Sequence, residues 1–172
     1  MLIEENPISA EILATDTFNF SNLIAEFPLG SKASNIEIAI AGYEVAQTVF
    51  TPEAFSQECA MTQNSLAAAY IQRIRGYKAE NIEIAITALQ EALQVFNKQD
   101  FPTEWAITQN SLAGAYIKRI QGDKAENLEI AITVLQAALE IITEKAFVQK
   151  WATIQNNLAV ALLTVTESEG TK

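Results

Sequence analysis

Apolar residues recur along this chain at the spacing of a helix buried on one face. Ile82, Ala85, Ile86, Leu89, Ala92, Leu93 and Phe96 fall at i, i+3, i+4, i+7, i+10, i+11 and i+14, a single stripe down a helix of 3.6 residues per turn. Leu128, Ala131, Ile132, Leu135, Ala138, Leu139 and Ile142 draw the same stripe, and so do Ile36, Ala39, Ile40, Tyr43, Ala46, Val49 and Phe50. These three segments are predicted as helices of one kind, B. A second kind, A, is read from Trp105, Thr108, Gln109, Leu112, Ala115, Tyr116, Arg119 and Ile120, which keep helical spacing up to Gly122, a natural terminator. Alternation gives A-B-A-B-A-B-A, so the chain is predicted to be all-α with seven helices.

The helices are copies. Asn35, Asn81 and Asn127 each open a segment of the type N-[IL]-E-I-A-I at an offset of 46 residues, and Ala60–Leu89 matches Ala106–Leu135 at 23 of 30 positions without a gap. Phe55, Phe101 and Phe147 keep the same offset, as do Asn64, Asn110 and Asn156, and Leu66, Leu112 and Leu158. Leu13–Asn35 aligns on Cys59–Asn81 with Gly30, Lys32 and Ala33 in place, while Phe18 and Asn19 stand where Asn and Ser stand later. Such a period marks a repeat array. One domain spans 1–172, with a degenerate first unit at about 8–50, units at about 52–97 and 102–143, and a single helix at about 147–167.

Local signals suggest how the helices begin and pair. Asn35, Asn81 and Asn127 read as N-caps, each with a Glu two residues on that suits the positive end of the helix dipole. Pro52 and Pro102 suit a first helical turn, with Thr51 or Asp100 near enough to cap it. Arg73 with Glu80, and Arg119 with Glu126, are spaced to pair around the A-to-B turn. Leu13, Cys59, Trp105 and Trp151 share one repeat position and read as packing against the preceding B helix.

Leu112-Ala113-x-x-Tyr116 followed by Ala131-x-x-x-Leu135-x-x-Ala138 resembles the core of the tetratricopeptide repeat. The Asn-[Asn/Ser]-Leu-Ala cores at Asn64, Asn110 and Asn156 make the long units similar to kinesin-light-chain-type repeats and to the arrays preceding bacterial CHAT domains. The resemblance covers almost the whole chain. Gln109 stands where the short repeat often has Trp, with Trp105 and Trp151 upstream. It implies a right-handed α-solenoid of antiparallel helix pairs, about three and a half repeats long, whose A helices line a concave groove that holds a protein or peptide.

On that wall, one repeat position after another, fall Met61, Asn64 and Ile71, then Ile107, Asn110, Ile117 and Lys118, then Asn156. An amide offers a donor and an acceptor, so Asn64, Asn110 and Asn156 could pair with the backbone of a peptide whatever its sequence. The same amides could instead bond neighbouring helices and fix their stacking. Ile71 and Ile117 read either as an apolar strip in the groove or as core. Arg73, Arg75, Lys78, Lys118, Arg119 and Lys124 gather at the A-to-B turns, as an anion site or as structural ion pairs.

Charge and composition narrow the partners. A net charge of −10 and a pI near 4.4 repel a phosphate backbone and an anionic bilayer surface. No apolar run reaches 18 residues, short of a membrane span. The acidic start, with Glu4 and Glu5, does not resemble a basic export signal, so a cytoplasmic location is expected. The chain has no histidine and one cysteine, Cys59. With no glycine-rich phosphate loop, paired cysteines or nucleophile elbow, no catalytic residue, cofactor or metal site is expected, and the chain reads as an adaptor. The alternative is self-association, for the last helix keeps Trp151, Ile154, Leu158, Leu162, Leu163 and Val165 with few charges, making a homodimer or a docked downstream domain the second expectation.

Overall fold

The computed structural model describes residues 7–169. Among them are seven helices and no strand: α1 (Pro7–Glu26), α2 (Lys32–Gln47), α3 (Ser56–Gln72), α4 (Lys78–Val95), α5 (Pro102–Lys118), α6 (Lys124–Leu139) and α7 (Glu144–Glu169). α1, α3, α5 and α7 are the A helices and α2, α4 and α6 the B helices. Each B helix packs on the A helix before it and the A helix after it, and successive A helices touch one another. This is the packing of a helical repeat, in which each unit is held by its neighbours.

The B stripes are the core. Ile82, Ala85, Leu89, Ala92, Leu128, Ala131, Leu135 and Ala138 are at most 1% exposed. Alanine at the crossing points lets helix axes approach, and Leu or Ile fills the space between. No described helix is long and apolar enough to cross a membrane.

The joints between helices repeat as faithfully as the helices. Each A-to-B turn passes through a glycine at positive φ, Gly30 (82°), Gly76 (76°) and Gly122 (76°), a conformation that costs an L-residue about 1–2 kcal/mol. The asparagines expected as N-caps lie inside the B helices instead. The cap positions belong to Ser31, Tyr77 and Asp123, of which Ser31 and Asp123 accept a backbone N–H. Asn81 and Asn127 are buried, and each donates Nδ2 back to the turn, to the Arg75 and Gln121 carbonyls at 2.8 Å. Asn35 does the same toward Phe27 and Leu29. They staple the glycine turn to the helix that follows it.

At the B-to-A joints, Phe55, Phe101 and Phe147 hold one non-helical conformation (φ −142°, ψ 64°; −131°, 58°; −143°, 57°). Each aromatic residue re-aims the chain: Phe55 packs edge-on against Phe50 at 5.8 Å and Phe101 against Phe96 at 5.7 Å. Phe147 breaks α7 at the same place, so its regular part begins one residue later. Pro102 occupies the first turn of α5 as expected, but Pro52 lies in the turn ahead of α3, and neither Thr51 nor Asp100 caps a helix.

Candidate partner-binding groove

The A helices present a continuous furrow. Three depressions succeed one another across α1, α3, α5 and α7. The first, about 230 Å³, is lined by Phe18, Phe50 and Met61 among others. The second, about 370 Å³, shares Phe18 and Met61 and adds Asn64, Ala68, Ile107 and Ser111. The third, about 470 Å³, shares Ala68 and Ser111 and runs past Ile71, Gln72, Asn110, Gly114, Ile117, Lys118, Asn157 and Val160.

The floor is low because its central repeat position is small: Ala68 in α3 and Gly114 in α5. A methyl group built on Gly114 would meet nothing within 4 Å, so this glycine opens space above the floor and is not forced by backbone crowding. Val160 closes the row on α7 and is 42% exposed.

Seven of the eight residues expected at the site line this furrow: Met61, Asn64 and Ile107 in the second depression, Ile71, Asn110, Ile117 and Lys118 in the third. Asn156 does not. It is exposed: Asn64 and Asn110 each face the next A helix, at Thr108 and Asn157, and no described A helix follows α7, whose Asn157 is the counterpart of Ser111 and faces α5. Ile71 and Ile117 are half-buried and touch the core as well as the groove.

The asparagines are partly engaged between helices. Asn64 donates Nδ2 to Thr108 Oγ1 at 2.8 Å, and Asn110 Oδ1 accepts from Asn157 Nδ2 at 2.9 Å. These bonds join consecutive A helices. Asn64 Oδ1 is buried without a partner, as is Gln109 Oε1, an arrangement folded proteins rarely tolerate.

The basic residues sort into two groups. Arg73 and Arg119 do not pair with Glu80 and Glu126. Each reaches back to the preceding unit, Arg73 to Glu37 and Arg119 to Glu83, with two bonds of 2.8 Å apiece. Each guanidinium also lies over a tyrosine of its own helix, Arg73 at 5.3 Å from the Tyr70 centroid and Arg119 at 5.5 Å from that of Tyr116. Hydrogen bonding to Arg73 lowers the Glu37 carboxyl below its ordinary range. Lys32 and Lys78 cap helix ends, donating Nζ to the Ala25 and Ile71 carbonyls. Burial, reinforced by the Lys118 charge, lowers the Lys78 pKa. Lys118 and Lys78 thus give one end of the third depression a local positive charge in an acidic protein.

The inter-unit pairing was readable in principle: Glu37–Arg73 and Glu83–Arg119 share a separation of 36 residues, the distance from one B helix to the end of the next A helix. Cys59 is a buried free thiol whose pKa is raised, chiefly by burial, which leaves it a packing residue. Among the described residues no cluster of three or more His, Cys, Asp or Glu could hold a metal ion.

No protein-family model, curated protein or solved structure matches this chain.

Proposed function

We propose that this chain is a tetratricopeptide-like, right-handed solenoid of the cytoplasm that binds a peptide or partner helix along its A-helix groove, and that it is not an enzyme. The carrying observation is the furrow itself: three linked depressions built from the same helix positions unit after unit. A catalytic site needs one unique constellation, whereas this surface repeats. Ile71, Ile107 and Ile117 supply apolar contact, Asn110 and Gln72 supply backbone-directed hydrogen bonding, and Lys118 with Lys78 suits an acidic group on the ligand. The acidic net charge disfavours nucleic acid and anionic membrane as the occupant.

The test is to fill the groove without disturbing the fold. Gly114→Leu projects a side chain into open space on a helix, where leucine is the better helix former by nearly 1 kcal/mol. Peptides selected against the parent by display are expected to bind Gly114→Leu at least tenfold more weakly, with no fall in melting temperature. Equal affinity for both proteins places the ligand elsewhere and refutes the groove.

A further inference from the structure

Among the described residues no helix precedes α1 and none follows α7, and the faces that this leaves exposed run in step. Internally, an A helix is covered on two sides. Toward the preceding B helix, α3 turns Cys59, Thr62, Leu66, Ala69 and Arg73: Cys59 clusters with Ala46 and Phe50 of the α2 end, and Arg73 holds Glu37 of α2. Toward the following B helix it turns Ala60 and Ala67. Ala60 packs on Ala92 and Phe96, just as Ala106 and Ala113 pack among Ala131, Leu135 and Ala138 of α6.

One unit earlier, the first face becomes Leu13, Asp16, Phe20, Leu23 and Phe27 of α1 and the adjoining turn. All five are exposed, Leu13 by 65%, Phe20 by 54%, Leu23 by 64% and Phe27 by 43%. A helix that closes an array toward water carries polar residues on that side. This one gains apolar bulk: Leu23 stands where Ala69 and Ala115 stand, and Phe27 where Arg73 and Arg119 stand.

One unit later, the second face becomes Val148, Ala152, Gln155, Ala159 and Leu162 of α7. Ala106 and Ala113 are 0% exposed under α6, yet their counterparts Ala152 and Ala159 face solvent, Val148 is 61% exposed and Leu162 47%. The close-approach alanines are retained with no described helix over them.

The faces run in complementary steps. The α1 stripe advances by 3, 4, 3 and 4 residues and the α7 stripe by 4, 3, 4 and 3, so laid antiparallel they stay in phase throughout. Leu13 then meets Leu162, Asp16 meets Ala159, Phe20 meets Gln155, Leu23 meets Ala152 and Phe27 meets Val148. Three of these five levels set apolar against apolar, and at one of them the bulk of Leu23 falls on the small Ala152. Antiparallel is also the orientation both faces require, because A and B helices alternate in direction.

We infer that α1 of one copy docks antiparallel on α7 of a second copy, each helix taking the place that a B helix takes against the internal A helices. Such an interface is heterologous: it leaves a free α1 at one end of the pair and a free α7 at the other, so association propagates head to tail and does not stop at two. It rests on the ends of the array and is independent of the groove reading, since Gly114→Leu leaves both faces untouched.

The experiment is light-scattering mass over a concentration series for the full chain and two variants at exposed positions, Leu23→Glu and Ala152→Glu, with circular dichroism confirming unchanged helicity. The parent mass is expected to rise with concentration beyond two copies, and each variant alone to stay monomeric. Their equimolar mixture is expected to reach a dimer and stop, because only one intact α1 face and one intact α7 face remain to meet. A parent that is monomeric throughout overturns the inference. So does an Ala152→Glu protein that still pairs through α1, or a Leu23→Glu protein that still pairs through α7.

Discussion

Arg119 grips Glu83 across two units, its Nε and Nη2 each donating to a different carboxylate oxygen at 2.8 Å. The pair ties the end of α5 to the first turns of α4, and Arg73 with Glu37 ties α3 to α2 in the same way. Both side chains are only about a quarter exposed (26% and 28%), and the fork geometry fixes them together. Arg119→Ala is expected to destabilise by roughly 1–2 kcal/mol, between an exposed ion pair and a buried charge-assisted bond. Arg119→Lys keeps the charge, loses the fork and recovers only part of that loss. Urea denaturation of the three proteins measures both steps.

The same geometry sets an acid limb. Hydrogen bonding to Arg73 lowers the folded-state pKa of Glu37 below the ordinary glutamate value of 4.5. A depressed carboxyl contributes stability that is present above the unfolded pKa and lost as pH falls through the folded one. Glu37→Gln is therefore expected to melt below the parent at neutral pH, and the gap between them to shrink as pH drops below about 4.5. Thermal melts of both proteins across that range decide it, and a gap that stays constant refutes the linkage.

Two helical glycines predict opposite outcomes. A Cβ on Gly42 would stand 2.0 Å from Ser21 Oγ and 3.3 Å from Ser21 Cβ, and Ser21 is fully buried, so α1 and α2 cross there with no room for a methyl group. Gly42→Ala is expected to cost about 1–3 kcal/mol through overpacking. Gly114, open to the groove, is expected to gain up to about 1 kcal/mol on the change to alanine from helix propensity alone. Melting temperatures shifting in opposite directions confirm the contrast.

Much of this architecture was legible from sequence because it is periodic. The B stripes, the seven helices, the glycine turns and most of the groove wall follow from apolar spacing and a 46-residue offset. What periodicity does not specify is which partner each polar side chain takes. Asn81 looks like an N-cap because Asn favours that role, yet burial and the Arg75 carbonyl place it inside the helix. Arg73 has Glu80 nearby in sequence, but its fork meets Glu37 in the previous unit. Asn156 keeps the repeat position of Asn64 and Asn110, but those two face a following A helix, and no described A helix follows α7.

The glycine turn and its asparagine staple act as one device, which gives a further prediction. Gly76→Ala forces an L-residue to φ 76°, though its methyl group meets Asn81 only at an ordinary 3.6 Å, so the penalty is backbone strain of about 1–2 kcal/mol. Asn81→Ala removes the bond to the Arg75 carbonyl from a buried site at about 1–3 kcal/mol. If the two form one unit, the double variant loses less than the sum of the single losses. A double-mutant cycle in urea reads this directly, and strict additivity separates the glycine from the asparagine.

Tyr43 sets the alkaline limb. It is 2% exposed, donates its hydroxyl to Asn22 Oδ1 at 2.7 Å, and burial pushes its pKa from 10.0 to about 12. In the unfolded chain the phenol ionises near 10, while the folded protein holds its proton until about 12. A raised pKa of this kind contributes stability that is complete below the unfolded value and lost as pH rises through the folded one. Stability is thus expected to fall above pH 10, and Tyr43→Phe, which has no proton to lose, to fall less steeply. Phenolate absorbance followed through the titration should show one of the four tyrosines appearing near pH 12 in the parent and missing from the variant. If all four ionise near 10 in the folded parent, Tyr43 is not sealed between α1 and α2.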